Sequence, residues 1–322
     1  MNVLVTGSAS PLARVLLPAL LNDPRIGQVI GVDIRTGGFS HPRYRFRAVD
    51  VRAPELAVSL GEVDAVIHLG FATTGRRFGP FKLTRETMRD INVYGTQNVF
   101  ELAAQQGVKH LILLSSAAVY KLDNFHRGSL TENHPRGTLP GFAHAEDRST
   151  VEDWLDGFEP AHPELRIVRL RPHLVLGPHV EPYVLGTLRL PLAPRFRDPQ
   201  PLTQCVHEND VVSAALAALF SDARGAFNLA TADAMAVRDI QQLHHKRVSV
   251  LPVMLLRALL RLRWRLTGKG MNPAWVGALR YNFAVHSGRA RRELGWKPRY
   301  DTVKECLLTL SEPGANGQDN KV

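Results

Sequence analysis

The hydrophobic pattern of the first 230 residues switches repeatedly between two periods. Short, β-branched apolar runs fall at residues 2–6, 29–33, 44–51, 65–70, 110–116 and 166–176. Between several of them, at 11–22, 84–106 and 143–158, apolar residues recur every three to four positions and predict helices. Runs such as Leu111-Ile112-Leu113-Leu114 lack any polar alternation, as expected of strands buried on both faces of a parallel sheet. Alternation of strand and helix predicts an α/β fold built on a doubly wound parallel sheet with right-handed crossovers.

After Gly177 the pattern breaks, with Pro178, Pro182, Pro191, Pro194, Pro199 and Pro201 marking a loop-rich excursion. A strand and helix return at 204–207 and 209–220, followed by a strand at 226–230. From Met235 onward the chain reads as helical and basic. This predicts a sheet domain from 1–176 and 204–232. A smaller, mostly helical C-terminal substrate domain is expected from 177–203 and 233–310, with a disordered tail at 311–322.

The chain has 322 residues, 44% of them apolar, which suits one large unit or two domains sharing a cleft and excludes a disordered chain. Cys205 and Cys306 stand far apart, with no C-x-x-C, so neither a disulfide framework nor a cysteine zinc site is expected. The histidines, among them His126, His134, His162 and His244-His245, lack metal-ligand spacing, and no metal is expected. The N-terminus lacks the basic start of a secretory signal, and no apolar run is long enough to span a bilayer. A cytoplasmic location is therefore expected, with peripheral membrane contact open. Net charge is +10, but residues 244–304 alone carry 14 Lys/Arg against 2 Asp/Glu. An anionic partner would therefore bind the C-terminal third; without a recognised nucleic-acid module, nucleic acid is not expected.

Open α/β sheets bind ligands beside the first strand–helix turn. Here the turn is Thr6-Gly7-Ser8-Ala9-Ser10-Pro11-Leu12-Ala13. Only Gly7 remains of a G-x-x-G-x-x-G spacing; Ser10 and Ala13 are small enough for close packing, Ser10 can cap the helix, and Pro11 has no N–H to offer a phosphate. Asp33 ends the second strand, where a carboxylate would bind ribose hydroxyls and repel a 2′-phosphate. This favours NAD over NADP, although the neighbouring Arg35 leaves room for NADP.

Several further elements follow in order: Val49-Asp50-Val51, then Val66-Ile67-His68-Leu69-Gly70-Phe71-Ala72, then Asn92-Val93-Tyr94-Gly95-Thr96. Ser115-Ser116-Ala117-Ala118-Val119-Tyr120, Arg171-Pro172 with Gly177-Pro178, Val206-His207-Glu208-Asn209-Asp210-Val211 and Arg292-Glu293-Leu294-Gly295-Trp296 complete the series. In this order the chain resembles the extended short-chain dehydrogenase/reductases, the NAD-dependent epimerase/dehydratase group, from Met1 to about Tyr300. The resemblance implies a Rossmann-like fold and a cofactor site including Gly7, Ser10, Leu12, Asp33, Asp50, Val51, Leu69, Gly70, Phe71, Asn92, Arg148 and Pro172. It also implies a small-molecule substrate, sugar-derived or lipophilic, and leaves a homodimer open.

By the same resemblance, Ser116 would hydrogen-bond the substrate oxygen, and the next helix should carry Tyr-x-x-x-Lys. Aligned on Glu152, this chain instead has His144 and Arg148 at those positions. They share a helix face, so Arg148 could hold ribose hydroxyls and depress the His144 pKa, leaving a neutral imidazole as general base. The alternative is a decayed site in a non-catalytic NAD-binding protein used for sensing or partner binding.

Nucleotide-sugar members of the family often hold the diphosphate with an arginine where this chain has Thr203; Arg195, Arg197 or Arg280 are candidate replacements. In residues 252–266, Arg257, Arg261 and Arg265 form one stripe, and Leu255, Leu259, Leu262 and Leu266 form the opposite face. Two readings stay open: a helix lying on an anionic membrane, or a domain helix with a solvated basic face. The region also looks similar to the steroid- and isoprenoid-type branch of the family.

Overall fold

A computed structural model describes residues 1–72, 77–78, 81–122, 128–139, 141–179, 191–196, 200–244, 247–267 and 279–311. Seven strands form the central sheet: β1 (Asn2–Thr6), β2 (Gln28–Asp33), β3 (Tyr44–Ala48), β4 (Ala65–His68), β5 (His110–Leu114), β6 (Arg166–Pro172) and β7 (Gly225–Leu229). Their order is β7-β6-β5-β4-β1-β2-β3, and every neighbouring pair is parallel. The chain winds outward from β1 to β3, then crosses back to β4 on the other side. The strand order therefore reverses between β1 and β4, and the crevice of this Rossmann-like sheet opens at their C-terminal ends.

Alternating side chains feed two apolar layers, as the period of a strand requires. Val3 and Val5 of β1 pack with Leu16, Leu17 and Leu20 of α1 (Ala13–Asn22) and with Val211 and Leu219 of α4 (Glu208–Leu219). Leu4 points to the other face, with Val99 and Phe100 of α2 (Gly95–Gln105) and Leu155 of α3 (Ala143–Ala161).

Several strands are shorter than the apolar runs that predict them, because their last residues leave the sheet and build the rim of the crevice. This is so for Val49-Asp50-Val51, Leu69-Gly70 and Ser115-Ser116. The run at 166–176 splits: Leu174–Leu176 leaves the main sheet and pairs with Cys205–His207. The helix expected over 84–106 is three pieces, Arg85–Arg89, a π-helical turn at Asp90–Tyr94, and α2. A short helix at Leu56–Leu60 was not foreseen.

The smaller part contains the strand pairs Leu192–Arg195 with Ser249–Pro252 and Leu202–Thr203 with Met235–Ala236. Its helices are Val237–His244, α5 (Val253–Thr267), Gly288–Glu293 and Val303–Leu308. Packing does not follow the expected 233–310 boundary throughout. Ala290, Leu294 and Trp296 are buried in the core of the main sheet, and the Trp296 indole donates 2.9 Å to the Asp210 carbonyl. Ser311 closes a 3-10 turn, Thr309–Ser311, and residues 312–322 lie outside the described residues, as do Arg197 and His126.

Candidate functional site

The first turn is built around Gly7. Its φ of +67° suits glycine, and a Cβ there would lie 2.7 Å from the Gly70 nitrogen, so β1 and β4 meet backbone to backbone. The helix begins at Ala13, two residues later than the pattern predicts, so its N-cap is Leu12 and not Ser10; the Ser10 Oγ accepts from the Ala13 N–H at 3.3 Å in the turn that leads into the helix. Asp33 closes the turn from the β2 side. One of its oxygens accepts from the Ala9 N–H at 3.1 Å and the other from the Arg35 N–H at 3.2 Å.

A cleft, partly open to solvent, lies over this turn. Gly7, Ser10, Asp33, Asp50 and Val51 form its walls together with Leu69, Gly70 and Phe71. Sequence reasoning missed Ile34, Leu83 and Ile91, which add apolar wall. For Ile34 and Ile91 the only signal was adjacency to Asp33 and Asn92; Leu83 had none. Asp50 is held by Arg52, whose Nε and Nη2 donate at 3.0 and 2.7 Å. Burial alone would raise the Asp50 pKa, but Arg52 outweighs it and holds the carboxyl below its ordinary value.

Four expected residues lie outside the cleft walls. Leu12 packs against the apolar core with α1 and is not among the cleft walls. Asn92 is buried behind the cleft. Its side-chain oxygen accepts from the Ala72 N–H at 2.7 Å, and its amide donates to the Ala72 carbonyl at 3.0 Å and to Asp147 at 2.9 Å. It therefore pins the β4 rim to α3. Pro172 ends β6 away from the cleft walls. Ser116 is half-buried and caps the turn Ala117–Val119, its Oγ accepting from the Ala118 N–H at 3.1 Å.

His144 and Arg148 share the face of α3 toward Phe71. The Arg148 guanidinium lies 3.9 Å above the Phe71 ring centroid. The His144 ring meets Phe71 edge-on at 5.3 Å and tilts against Phe142 at 6.2 Å. Phe142 also packs on Ala118 and Ala145, which brings the Ser116 turn beside the start of α3. Burial first, and the Arg148 cation second, lower the His144 pKa to about 3. Phe71 therefore stands at a boundary, with the cleft on one side and the His144–Arg148 pair against it.

His68 feels the same two influences and also falls to about 3. Its tautomer follows from its neighbours. Thr96 Oγ1 gives its proton to the Asn92 carbonyl at 2.6 Å, so it accepts from His68 Nε2 at 2.9 Å. His68 Nδ1 then accepts from Thr6 Oγ1 at 2.6 Å.

Other motif residues are structural. Glu152 is fully buried, accepts from both Ser115 and Arg171, and is held below the usual carboxylate range by Arg171 against the effect of burial. Arg171 Nη1 also donates to the Tyr120 hydroxyl at 2.8 Å, which in turn donates to Asn228 at 2.6 Å. Burial pushes the Tyr120 pKa up to about 12. Thr203 bridges to Phe283, and Arg195 is exposed, its Nη2 lying 3.5 Å from the Val250 carbonyl.

Solved structures with the same architecture include the UDP-glucose 4-epimerase of Thermotoga maritima with UDP-glucose, at a TM-score of 0.74 and 21% identity, covering 96% of this chain and 97% of that one. MoeE5 in complex with UDP-glucuronic acid and NAD matches at 0.74 and 23% identity, with the same coverage. At these identities the likeness speaks for the fold. Among curated proteins, the uncharacterized protein Rv0501 of Mycobacterium tuberculosis is 27% identical over 316 residues, 94% of this chain and 81% of that protein. The decarboxylating sterol-4-alpha-carboxylate 3-dehydrogenase of Bos taurus is 31% identical over 147 residues, 45% of this chain and 39% of the enzyme. The family model for NAD-dependent epimerases and dehydratases matches residues 3–230. With its all-parallel sheet and glycine turn at the β1–β4 crevice, the chain belongs to the NAD-dependent epimerase/dehydratase family.

Proposed function

We propose that the chain binds NAD, in preference to NADP, and acts as an oxidoreductase or epimerase on a hydroxyl or keto group of a small molecule. The carrying observation is the cleft at the strand crossover, with Asp33 at its wall. Gly7 lets the backbone approach a pyrophosphate, while Asp33 offers acceptors to ribose hydroxyls and repels a 2′-phosphate. The bound dinucleotide would supply the hydride acceptor. Ser116 would orient the substrate oxygen, and His144 would face its proton.

The substrate is more consistent with a lipophilic alcohol or ketone than with a nucleotide sugar. The support is that Thr203 offers a diphosphate no cation; the partial relatives do not choose, since they include a sterol dehydrogenase and a dTDP-glucose 4,6-dehydratase. Calorimetric titration with NAD and NADP tests the cofactor; equal or tighter NADP binding overturns the preference. Formation of NADH from NAD with hydroxysteroids, against UDP-glucose, tests the substrate class.

A second reading is favoured by one observation. A base with a pKa near 3 takes an alcohol proton poorly at neutral pH, and Phe71 fills the space beside it. In this reading the chain binds the dinucleotide without turning it over.

A further inference from the structure

The face of α5 that the structure leaves uncovered is the leucine face. Leu256 and Leu260 are buried against Leu192, Leu251 and Val253 of the small sheet. Leu255, Leu259, Leu262 and Leu266 are 48%, 45%, 55% and 76% exposed, and Met254 is 80% exposed. At 3.6 residues per turn these four leucines fall within roughly 60° of one another, a stripe along a helix about 22 Å long. A solvated basic face would turn arginine outward and bury the leucines; here leucine is outward as well. Arg261 and Arg263 are exposed on either side of the stripe, and Arg257 is half-buried; the side chain of Arg265 lies outside the described residues.

We propose that this face of α5 docks on an anionic lipid bilayer, lying in the plane of the surface with its leucines among the acyl chains. Two observations choose this occupant. An exposed leucine stripe costs free energy in water and is recovered by an apolar phase. The segment that carries it has charge of one sign: no Asp or Glu occurs in the sequence between Asp239 and Glu293, which matches anionic headgroups. The same charge works against a second copy, because two such faces would repel each other. Among the described residues no helix is long and apolar enough to cross a membrane, so the contact is interfacial. This proposal stands independently of the cofactor reading.

Co-sedimentation of the full chain with phosphatidylcholine vesicles, with and without phosphatidylglycerol, tests it. Binding is expected only to the anionic vesicles at low salt, and should fall steeply as salt screens the charges. Leu259→Ser and Leu262→Ser lie at exposed positions, so the fold should be retained, checked by circular dichroism. Each should weaken binding roughly tenfold, the worth of withdrawing a leucine from an apolar phase. Arg261→Glu with Arg263→Glu should abolish binding. The proposal is overturned if the chain ignores anionic vesicles, binds neutral ones equally, or binds unchanged after the leucine replacements. A dimer in sedimentation that Leu259→Ser dissolves would assign the face to a second copy and overturn it too.

Discussion

The Arg148 guanidinium rests 3.9 Å above the Phe71 ring, and Phe71 stands between the cleft and the His144 face of α3. A cation over an aromatic face is stabilised by about 0.5–2 kcal/mol, enough to hold the ring in place yet small enough for a ligand to displace.

Phe71→Ala should therefore act on half of the dinucleotide only. NAD should bind more tightly by about fivefold or more, while ADP-ribose, which lacks the nicotinamide, should bind as before. Titration calorimetry with both ligands separates these cases. An equal gain for both would mean that Phe71 shapes the adenosine side instead.

Asp33 holds the Ala9 N–H and, in the proposed reading, also meets the ribose, so its replacement should have two signatures. Asp33→Asn removes the charge that repels a 2′-phosphate and should narrow or reverse the preference for NAD. It also weakens the 3.1 Å bond from Ala9, with an expected stability loss of about 1 kcal/mol by urea denaturation. Unchanged discrimination would mean that Asp33 does not set it.

His68 and His144 make the fold acid-sensitive above the range where carboxylates titrate. Both have folded-state pKa values near 3, well below the usual 6.5. Above about 6.5 both states are neutral and stability is fully present. As pH falls from 6.5 toward 3, the unfolded chain takes up protons that the folded chain refuses, and stability is lost at up to about 1.4 kcal/mol per pH unit per group. Urea midpoints should fall between pH 7 and 4.5, and His68→Gln should flatten part of that slope. For the same reason, any turnover should show no His144 limb between pH 5 and 8; a limb near 6.5 would mean that His144 is uncovered in the working complex.

Glu152 anchors Ser115 and Arg171 from a fully buried position. Glu152→Gln leaves a buried guanidinium without its carboxylate and should cost about 3–5 kcal/mol of stability. Dinucleotide affinity, measured below the melting transition, should change little because Glu152 is not a wall of the cleft. A large affinity loss in a well-folded variant would contradict that separation.

Much of the fold was legible in the chain because its signals are local. The two hydrophobic periods mark the strands and helices, Gly7 marks the turn, and Asp33 follows at the end of β2. Where strands end was not legible, since Leu69-Gly70 and Ser115-Ser116 are as compatible with a strand as the residues before them. They leave the sheet because neighbouring rims, Gly7 against Gly70 and Glu152 against Ser115, offer them other partners. The sequence also placed His144 and Arg148 on one helix face, but not Phe71 against both of them, since that contact joins residues more than seventy positions apart. Likewise the periodicity of α5 separates leucine from arginine without saying which face is covered. That was decided by the small sheet, whose apolar residues took Leu256 and Leu260 and left the other leucines to solvent. Local propensity and pattern are written along the chain, whereas burial is a property of what arrives from elsewhere to cover it.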